Sequence, residues 1–120
     1  MKEDRENLIV QKTKAFAIRC VRLYMYLTDT RKEYVMSKQL LRSGTSIGAN
    51  VKEAMRGQSK ADFGMKMNIA LKEANETEYW LEILHETEFL TDEQSESILS
   101  DCRELLKLLM SIVKTTFTNK

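Results

Sequence analysis

The sequence of 120 residues contains no proline and only four glycines. Chains built from β-strands need these residues at their turns, so their scarcity argues against all-β and α/β folds. The composition is otherwise ordinary for a folded protein, with 42% hydrophobic and 31% charged residues. We therefore expect an all-α protein, folded as a single domain over residues 1–120.

The sequence also lacks the features of membrane and secreted proteins. No apolar run approaches the roughly 20 residues of a membrane span. The charged start at residues 1–6 has no apolar core of a signal peptide. Cys20 and Cys102 stand far apart without a C-x-x-C pair, which is typical of reduced thiols. We expect a cytoplasmic protein with no membrane partner.

Apolar residues recur at spacings of three and four in four stretches, at about 4–30, 33–56, 60–89 and 91–117. In the first stretch Val21 widens the apolar stripe, and the methionines are interpreted as core gap-fillers rather than a binding groove. Four long amphipathic helices with short connections predict an antiparallel up-down-up-down four-helix bundle.

Residues at the predicted helix ends have the side chains that cap helices. Ser37 is a possible N-cap of the second helix, and Gly57 is expected to end it in the left-handed conformation. Ser59 can cap the third helix. Thr91 and Gln94 form a capping box at the start of the fourth.

The segment 42–54 places Gly44 and Gly48 one helical turn apart, although each glycine costs roughly 1 kcal/mol against alanine inside a helix. This spacing predicts close approach of another helix, from the same chain or from a second one. Ser46, Asn50 and Glu53 share one side of the same helix. With Glu76 they are interpreted as a structural polar network, or alternatively as a ligand site.

Charge is unevenly distributed along the chain, although the net charge is only +1. Residues 1–60 contain thirteen basic and six acidic residues, a net +7, whereas residues 61–120 contain six and twelve, a net −6. Either the first two helices pack against the last two, or a basic surface faces nucleic acid or a neighbouring subunit. The residues proposed for nucleic-acid binding are Arg19, Arg22, Lys38, Arg42, Lys52 and Arg56.

Tyr79 and Trp80 lie off the main apolar stripe of the third helix. They are interpreted either as a subunit contact or as the edge of the bundle core.

Signals for catalysis and metal binding are weak. Glu82 and His85 have the E-x-x-H spacing of di-iron bundles, but His85 is the only histidine and a second copy of the motif is impossible. No P-loop or nucleophile elbow occurs, and both cysteines lie on apolar stripes. We predict a non-enzymatic protein without catalytic residues, metal or cofactor.

Two segments, KQLLRSGTSIGANVKEA at 38–54 and IALKEANETEYWL at 69–81, resemble the proteins encoded in ribosomal-RNA intervening sequences. This family is similar to the accessory variability determinant of diversity-generating retroelements. The resemblance implies an antiparallel four-helix bundle that assembles into a ring-like homopentamer. It also implies RNA or DNA as an alternative partner, by analogy with the basic retroelement protein.

Overall fold

The structure, a computed structural model, describes residues 2–118. They form four α-helices: α1 (Lys2–Asp29), α2 (Met36–Ala54), α3 (Lys60–Glu86) and α4 (Asp92–Thr118). No strand occurs in this range, which confirms the all-α prediction. Residues 1, 119 and 120, which the single-domain prediction includes, lie outside the described residues.

The helices pack as the four corners of a bundle. α2 packs against α1 and α3, and α4 packs against α3 and α1, whereas the backbones of α1 and α3, and of α2 and α4, stay apart across the core. Short connections reverse the chain after each of the first three helices. The fold is therefore the predicted antiparallel up-down-up-down bundle, with α1 diagonally opposite α3.

One apolar core runs along the bundle axis and takes side chains from all four helices. Its fully buried members include Ile9, Leu27, Leu40, Ile47, Met67, Leu81, Leu84, Leu109 and Ile112. Each follows the three-and-four spacing of its helix, because that period keeps a stripe on one side of the helix axis. This stripe is the part of the fold that the sequence pattern determines most strongly.

Two of the predicted caps are present. The hydroxyl oxygen of Ser59 accepts a hydrogen bond from the backbone amide of Asp62 at 3.1 Å. Thr91 and Gln94 form the reciprocal capping box, with distances of 2.9 and 3.1 Å. Both satisfy amides at the start of a helix that have no partner within the helix itself.

The predicted N-cap at Ser37 is wrong. Ser37 is buried inside the first turn of α2, and its hydroxyl donates to the backbone carbonyl of Glu33. The carboxylate of Glu33 accepts instead from the backbone amides of Val35, Met36 and Ser37, at 3.1, 3.1 and 2.7 Å. The capping group thus comes from the connection before the helix.

The left-handed conformation predicted for Gly57 is also wrong, since no glycine among the described residues has a positive φ. Gly57 instead lies close to backbone atoms of Ala54 and Phe63. A Cβ at this position would lie 3.1 Å from the carbonyl oxygen of Ala54 and 3.1 Å from the backbone nitrogen of Phe63. A side chain here would crowd the turn between α2 and α3.

Candidate interaction surfaces

The two glycines of α2 face α1 of the same chain. A Cβ on Gly44 would lie 2.9 Å from the Cβ of Cys20, and a Cβ on Gly48 would lie 3.3 Å from the carbonyl oxygen of Thr13. The absence of side chains at both positions lets the two helices approach closely. The sequence did not decide which helix approaches these glycines. In the structure, α1 of the same chain does so.

Both thiols are free and buried in the core, and Cys20 lies beside Gly44. Burial raises the pKa of Cys20 to about 12, against a small opposing effect of Arg19. Burial, reinforced by Glu78, raises the pKa of Cys102 to about 12 as well. Both thiols stay protonated near neutral pH, so neither is prepared as a nucleophile.

Three of the polar residues predicted as a network have separate partners. The Ser46 hydroxyl donates to the carbonyl of Arg42 at 2.6 Å, and the Asn50 amide donates to the carbonyl of Ser46 at 2.8 Å. Glu53 forms an ion pair with Lys66 of α3 at 2.9 Å. These contacts join side chains to the backbone of α2 or to α3, and none joins the three side chains to one another.

Glu76 belongs to a cluster at the seam between α2 and α3. Arg42 binds Glu73 at 3.2 Å and also pairs with Glu76, whose carboxylate accepts from the indole N–H of Trp80 at 3.0 Å. The hydrogen bonds from Trp80 and Arg42 outweigh burial and lower the pKa of Glu76. The structure thus brings together Arg42, Glu76 and Trp80, which the sequence analysis assigned to three different groups.

A set of apolar side chains lies on α3 outside the core and includes both aromatic residues of the predicted subunit contact. Lys72 and Glu76 lie on the same side of the helix and divide the set into two parts. We name it the α3 face, and its residues are Met65, Ile69, Tyr79, Trp80 and Ile83. Met65 and Tyr79 are each 56% exposed, and the other three are partly exposed. Tyr79 and Trp80 touch edge to face, with ring centroids 5.2 Å apart. Trp80 also packs against the margin of the core.

A second apolar surface lies on α1. We name it the α1 face, and its residues are Ile18, Val21 and Met25, which are 45%, 40% and 53% exposed. The sequence analysis placed Val21 on the inward stripe, which is wrong. It also treated Met25, Met65 and Met110 as core gap-fillers, whereas all three are more than half exposed. Periodicity alone did not separate the outward apolar residues from the inward ones.

The outward positions of α2 and α4 are mostly polar. α2 exposes Lys38 and Lys52, Arg56 is exposed in the turn after α2, and α4 exposes mainly charged residues and serines. Met110 and Phe117 on α4 are exceptions, and Phe117 lies against Gly64 of α3. Tyr34 and Val35 in the connection between α1 and α2 are exposed too.

Part of the uneven charge is neutralised inside the chain. Arg19 binds Asp101 of α4 at 2.7 Å, and Lys12 binds Glu104 at 3.0 Å. Together with Arg42, these residues pair the basic first half with the acidic second half. This supports the explanation in which helices of the two halves pack together.

Four of the predicted nucleic-acid-binding residues form no ion pair in the part of the chain that the structure describes: Arg22, Lys38, Lys52 and Arg56. Arg22 borders an open groove of about 590 Å³ between α1 and α4, together with Tyr26 and Glu93. Lys52 and Arg56 border a second groove of about 630 Å³ at the end of α2. These cations are free to meet an external partner.

The E-x-x-H residues have other partners. Glu82 binds Arg103 at 3.3 Å, and the Nε2 atom of His85 lies 2.6 Å from a carboxylate oxygen of Asp92. Within residues 2–118 no three histidine, cysteine or carboxylate side chains converge as ligands for a metal ion. None of the described helices combines the length and apolarity that a membrane crossing requires.

These features define a four-helix bundle protein with apolar faces on two opposite corners and unpaired cations on α1 and α2. The sequence matches the model of the 23S rRNA-intervening sequence protein family over residues 5–111, and the chain belongs to this family. The matched range includes both motifs, at 38–54 and 69–81. The match therefore confirms the resemblance to this family.

A solved structure with the same fold is the crystal structure of a protein of unknown function from the S23 ribosomal protein family of Bacteroides thetaiotaomicron. Its sequence is 60% identical, and the TM-score is 0.91 over 92% of this chain and 99% of that chain. No curated protein matches the sequence.

Proposed function

We propose that the protein is a non-enzymatic, self-associating scaffold that works in the cytoplasm as a homopentameric ring. The observation that carries this proposal is the pair of apolar faces outside the core. Extended apolar surfaces on small folded proteins usually mark contacts with another macromolecule. The ring and its number of subunits come from the family resemblance.

The composition of the α3 face supports a subunit contact in particular. Tyrosine, tryptophan and methionine are enriched in protein interfaces relative to the rest of the surface. Tyr79 and Trp80 stand side by side there, and Met65 is half exposed at the other end of the helix. Covering these side chains stabilises a complex by about 25 cal/mol for each Å² of apolar surface removed from water.

Native mass spectrometry of the wild-type protein at low micromolar concentration tests this proposal. A pentamer is the expected species, and it should persist when the concentration is varied across the micromolar range. A clean monomer at every concentration would contradict the proposal, and a different oligomer would contradict the ring of five.

A second candidate function is RNA or DNA binding, favoured by the unpaired cations Arg22, Lys38, Lys52 and Arg56. A weak basic patch gains affinity when an oligomer repeats it, because later contacts form within the same complex. The near-zero net charge makes this function the weaker of the two candidates.

A titration with single-stranded RNA and duplex DNA at two salt concentrations tests nucleic-acid binding. Affinity should fall steeply as salt rises, because each neutralised phosphate releases a counterion. The double variant Lys52→Gln/Arg56→Gln should bind more weakly and show a shallower salt dependence. Lys107→Gln, at an exposed position of α4, is the matched control. Absence of binding at low salt would exclude this function.

A further inference from the structure

We propose that the groove between α1 and α4 binds a small organic anion, a molecule that carries a carboxylate, sulfonate or phosphate on an apolar body. The groove has a volume of about 590 Å³, within the range of about 300–1,000 Å³ that is typical of small-molecule sites. The proposal goes beyond the proposed function, since it concerns a single chain and does not depend on self-association.

The way in which α1 and α4 meet explains why a groove forms. These two helices pack less closely than the other neighbouring pairs of the bundle. Arg19 bridges the gap, because its guanidinium donates to the carboxylate of Asp101 at 2.7 Å and to the hydroxyl oxygen of Ser97 at 3.1 Å. A long polar side chain therefore spans the seam, and it limits the groove at one end.

The connection between α3 and α4 limits the other end. Leu90 and Thr91 line the groove there. The guanidinium of Arg31 holds this connection by donating to the backbone carbonyls of Phe89 and Glu88, at 2.7 and 3.1 Å. Thr91 is fixed in turn by the capping box at the start of α4. Both ends of the groove are thus held by hydrogen bonds, so its shape is set before a ligand arrives.

The floor of the groove is apolar. Leu23 of α1 and Ile98 of α4 line it together with Leu90, and the last two are 4% and 3% exposed. All three side chains belong to the core or pack against it. An apolar body that rests on them is removed from water, which favours binding in proportion to the area covered.

The walls of the groove offer mainly hydrogen-bond donors. Arg22 is exposed and forms no ion pair with any described residue, and the hydroxyl group of Tyr26 forms no hydrogen bond with one. The side-chain oxygen of Gln94 accepts from the backbone amide of Thr91, which leaves the NH₂ group of Gln94 as a donor. An ionised acidic group accepts hydrogen bonds without donating any, so it matches these donors.

The carboxylates near the groove leave one cation available to an anion. Asp101 is already paired with Arg19, and Asp29, near the end of α1, does not line the groove. Glu93 is the one carboxylate of the lining; it is exposed, lies on α4, and forms no ion pair with any described residue. Because Glu93 repels an anion and Arg22 attracts one, we expect their removal to change the affinity in opposite directions.

Anilinonaphthalene sulfonate is the probe, since it joins an apolar body to a sulfonate, and phenylnaphthylamine is its matched uncharged analogue. The wild-type protein is titrated with each compound, and binding is followed by the fluorescence of the probe. Methyl NMR locates the sulfonate, which should shift the signals of Leu23, Leu90 and Ile98 and bind once per chain. Arg22→Gln should lower the affinity for the sulfonate about fivefold, as expected for the loss of an exposed ion pair, and should leave that for the uncharged analogue unchanged.

Four further variants sharpen the test. Tyr26→Phe removes only a hydroxyl group and should also weaken sulfonate binding, whereas Glu93→Gln should strengthen it. Lys14→Gln, at an exposed position of α1, is the matched control for Arg22→Gln, and Glu96→Gln, at an exposed position of α4, is the control for Glu93→Gln. Neither control residue lines the groove, so both variants should bind the sulfonate as the wild type does.

Three results would overturn the proposal: no binding of the sulfonate to the wild type, methyl shifts confined to residues outside the groove, and equal affinity of Arg22→Gln and the wild type for the sulfonate. If Arg22→Gln weakens both compounds alike, Arg22→Lys decides, because it keeps the cation. Recovery of sulfonate binding supports the proposal, and no recovery contradicts it. None of these results bears on self-association, and a monomeric wild type would leave the proposal in place.

Discussion

A side chain at Gly44 would push α1 and α2 apart more than one at Gly48 would. A Cβ on Gly44 would lie 2.9 Å from the Cβ of Cys20, closer than real side chains allow. Gly44→Ala should lower the free energy of unfolding by about 1–3 kcal/mol, as overpacked cores do. This loss should appear despite the gain of about 1 kcal/mol in helix propensity. Urea denaturation measures the difference.

Gly48→Ala and the background Cys20→Ala are the controls for this prediction. At Gly48 the nearest atom to an added Cβ is 3.3 Å away, so the gain in helix propensity should offset most of the crowding. A Cβ on Gly44 would also meet the sulfur of Cys20. In the Cys20→Ala background the cost of Gly44→Ala should shrink without vanishing, because the sulfur is gone and the Cβ at 2.9 Å remains. Equal costs at Gly44 and Gly48 would show that the contact with Cys20 does not set the spacing.

Glu33 gives the stability of α2 a dependence on pH. Burial opposes its ionisation, but hydrogen bonds from the amides of Ser37, Met36 and Val35 outweigh burial and lower its pKa. The folded state therefore binds fewer protons than the unfolded state. The stabilisation is complete above the ordinary pKa of 4.5 and is lost as the pH falls through the lower, folded-state value.

Glu33→Ala should cost about 0.5–2 kcal/mol at neutral pH, the usual range for a lost helix cap. The difference from wild type should narrow below about pH 4.5, because the wild-type carboxylate becomes protonated and stops accepting these hydrogen bonds. Denaturation in urea at several pH values measures it. Glu96→Ala, at an exposed site on α4, is the control and should show no comparable cost. A Glu33→Ala penalty that persists unchanged in acid would contradict the cap.

At the scale of helix pairs, the contact between α2 and α3 combines an exposed ion-pair cluster with a buried hydrogen bond. Arg42 pairs with Glu73 and Glu76 at the surface, whereas the Thr77 hydroxyl donates to the Ser43 hydroxyl at 2.9 Å in the interior. Exposed ion pairs contribute about 0–1 kcal/mol each. A buried hydroxyl that loses its partner costs about 1–3 kcal/mol.

Thr77→Val should therefore destabilise the bundle more than Arg42→Gln, although Arg42 makes more contacts. The valine keeps the shape of threonine, so the measured loss reports the hydroxyl group. Denaturation midpoints of the wild type and both variants are measured at low and high salt. The loss caused by Arg42→Gln should shrink as salt rises, because salt screens the exposed ion pairs, whereas the loss caused by Thr77→Val should stay the same. A larger loss for Arg42→Gln would show that the surface cluster dominates this helix pair.

The helices themselves could be predicted from the sequence because burial follows a simple period. The inward stripe of α2, with Leu40, Ile47 and Val51, was found in this way. So were the caps at Ser59 and Thr91, because each cap and its partner lie within three residues. Local signals of this kind need no knowledge of the rest of the chain.

The features that sequence reasoning missed depend on contacts between distant parts of the fold. Gly57 is required by the backbone of the next helix, which no turn rule describes. Val21 follows the helical period as well as its buried neighbours do, yet it lies outside the core. A helix with two apolar stripes gives no internal sign of which stripe faces inward. The excess of apolar residues on α1 and α3 was the available signal for an outward face.

At the scale of the whole molecule, a ring built through α1 and α3 would leave the outward sides of α2 and α4 uncovered. Lys38 and Lys52 of α2, and Arg56 in the turn after it, would then recur once in every subunit, at positions free for a polyanionic partner. In this arrangement Lys38, Lys52 and Arg56 lie away from the subunit contact, whereas Arg22 of α1 lies beside it. Variants of the α1 face should thus reduce nucleic-acid affinity only through the loss of the oligomer.

Assembly should make the thermal stability depend on protein concentration. Subunits that associate only when folded shift the unfolding equilibrium by mass action, so the Tm of the wild type should rise with concentration. The variant Ile18→Glu/Met25→Glu, which lacks the α1 face, should have a lower Tm that does not change with concentration. Differential scanning calorimetry across a wide concentration range measures both, with Met110→Glu expected to follow the wild type. A wild-type Tm that is constant over this range would show that folding and association are not coupled, contrary to a ring held by these two faces.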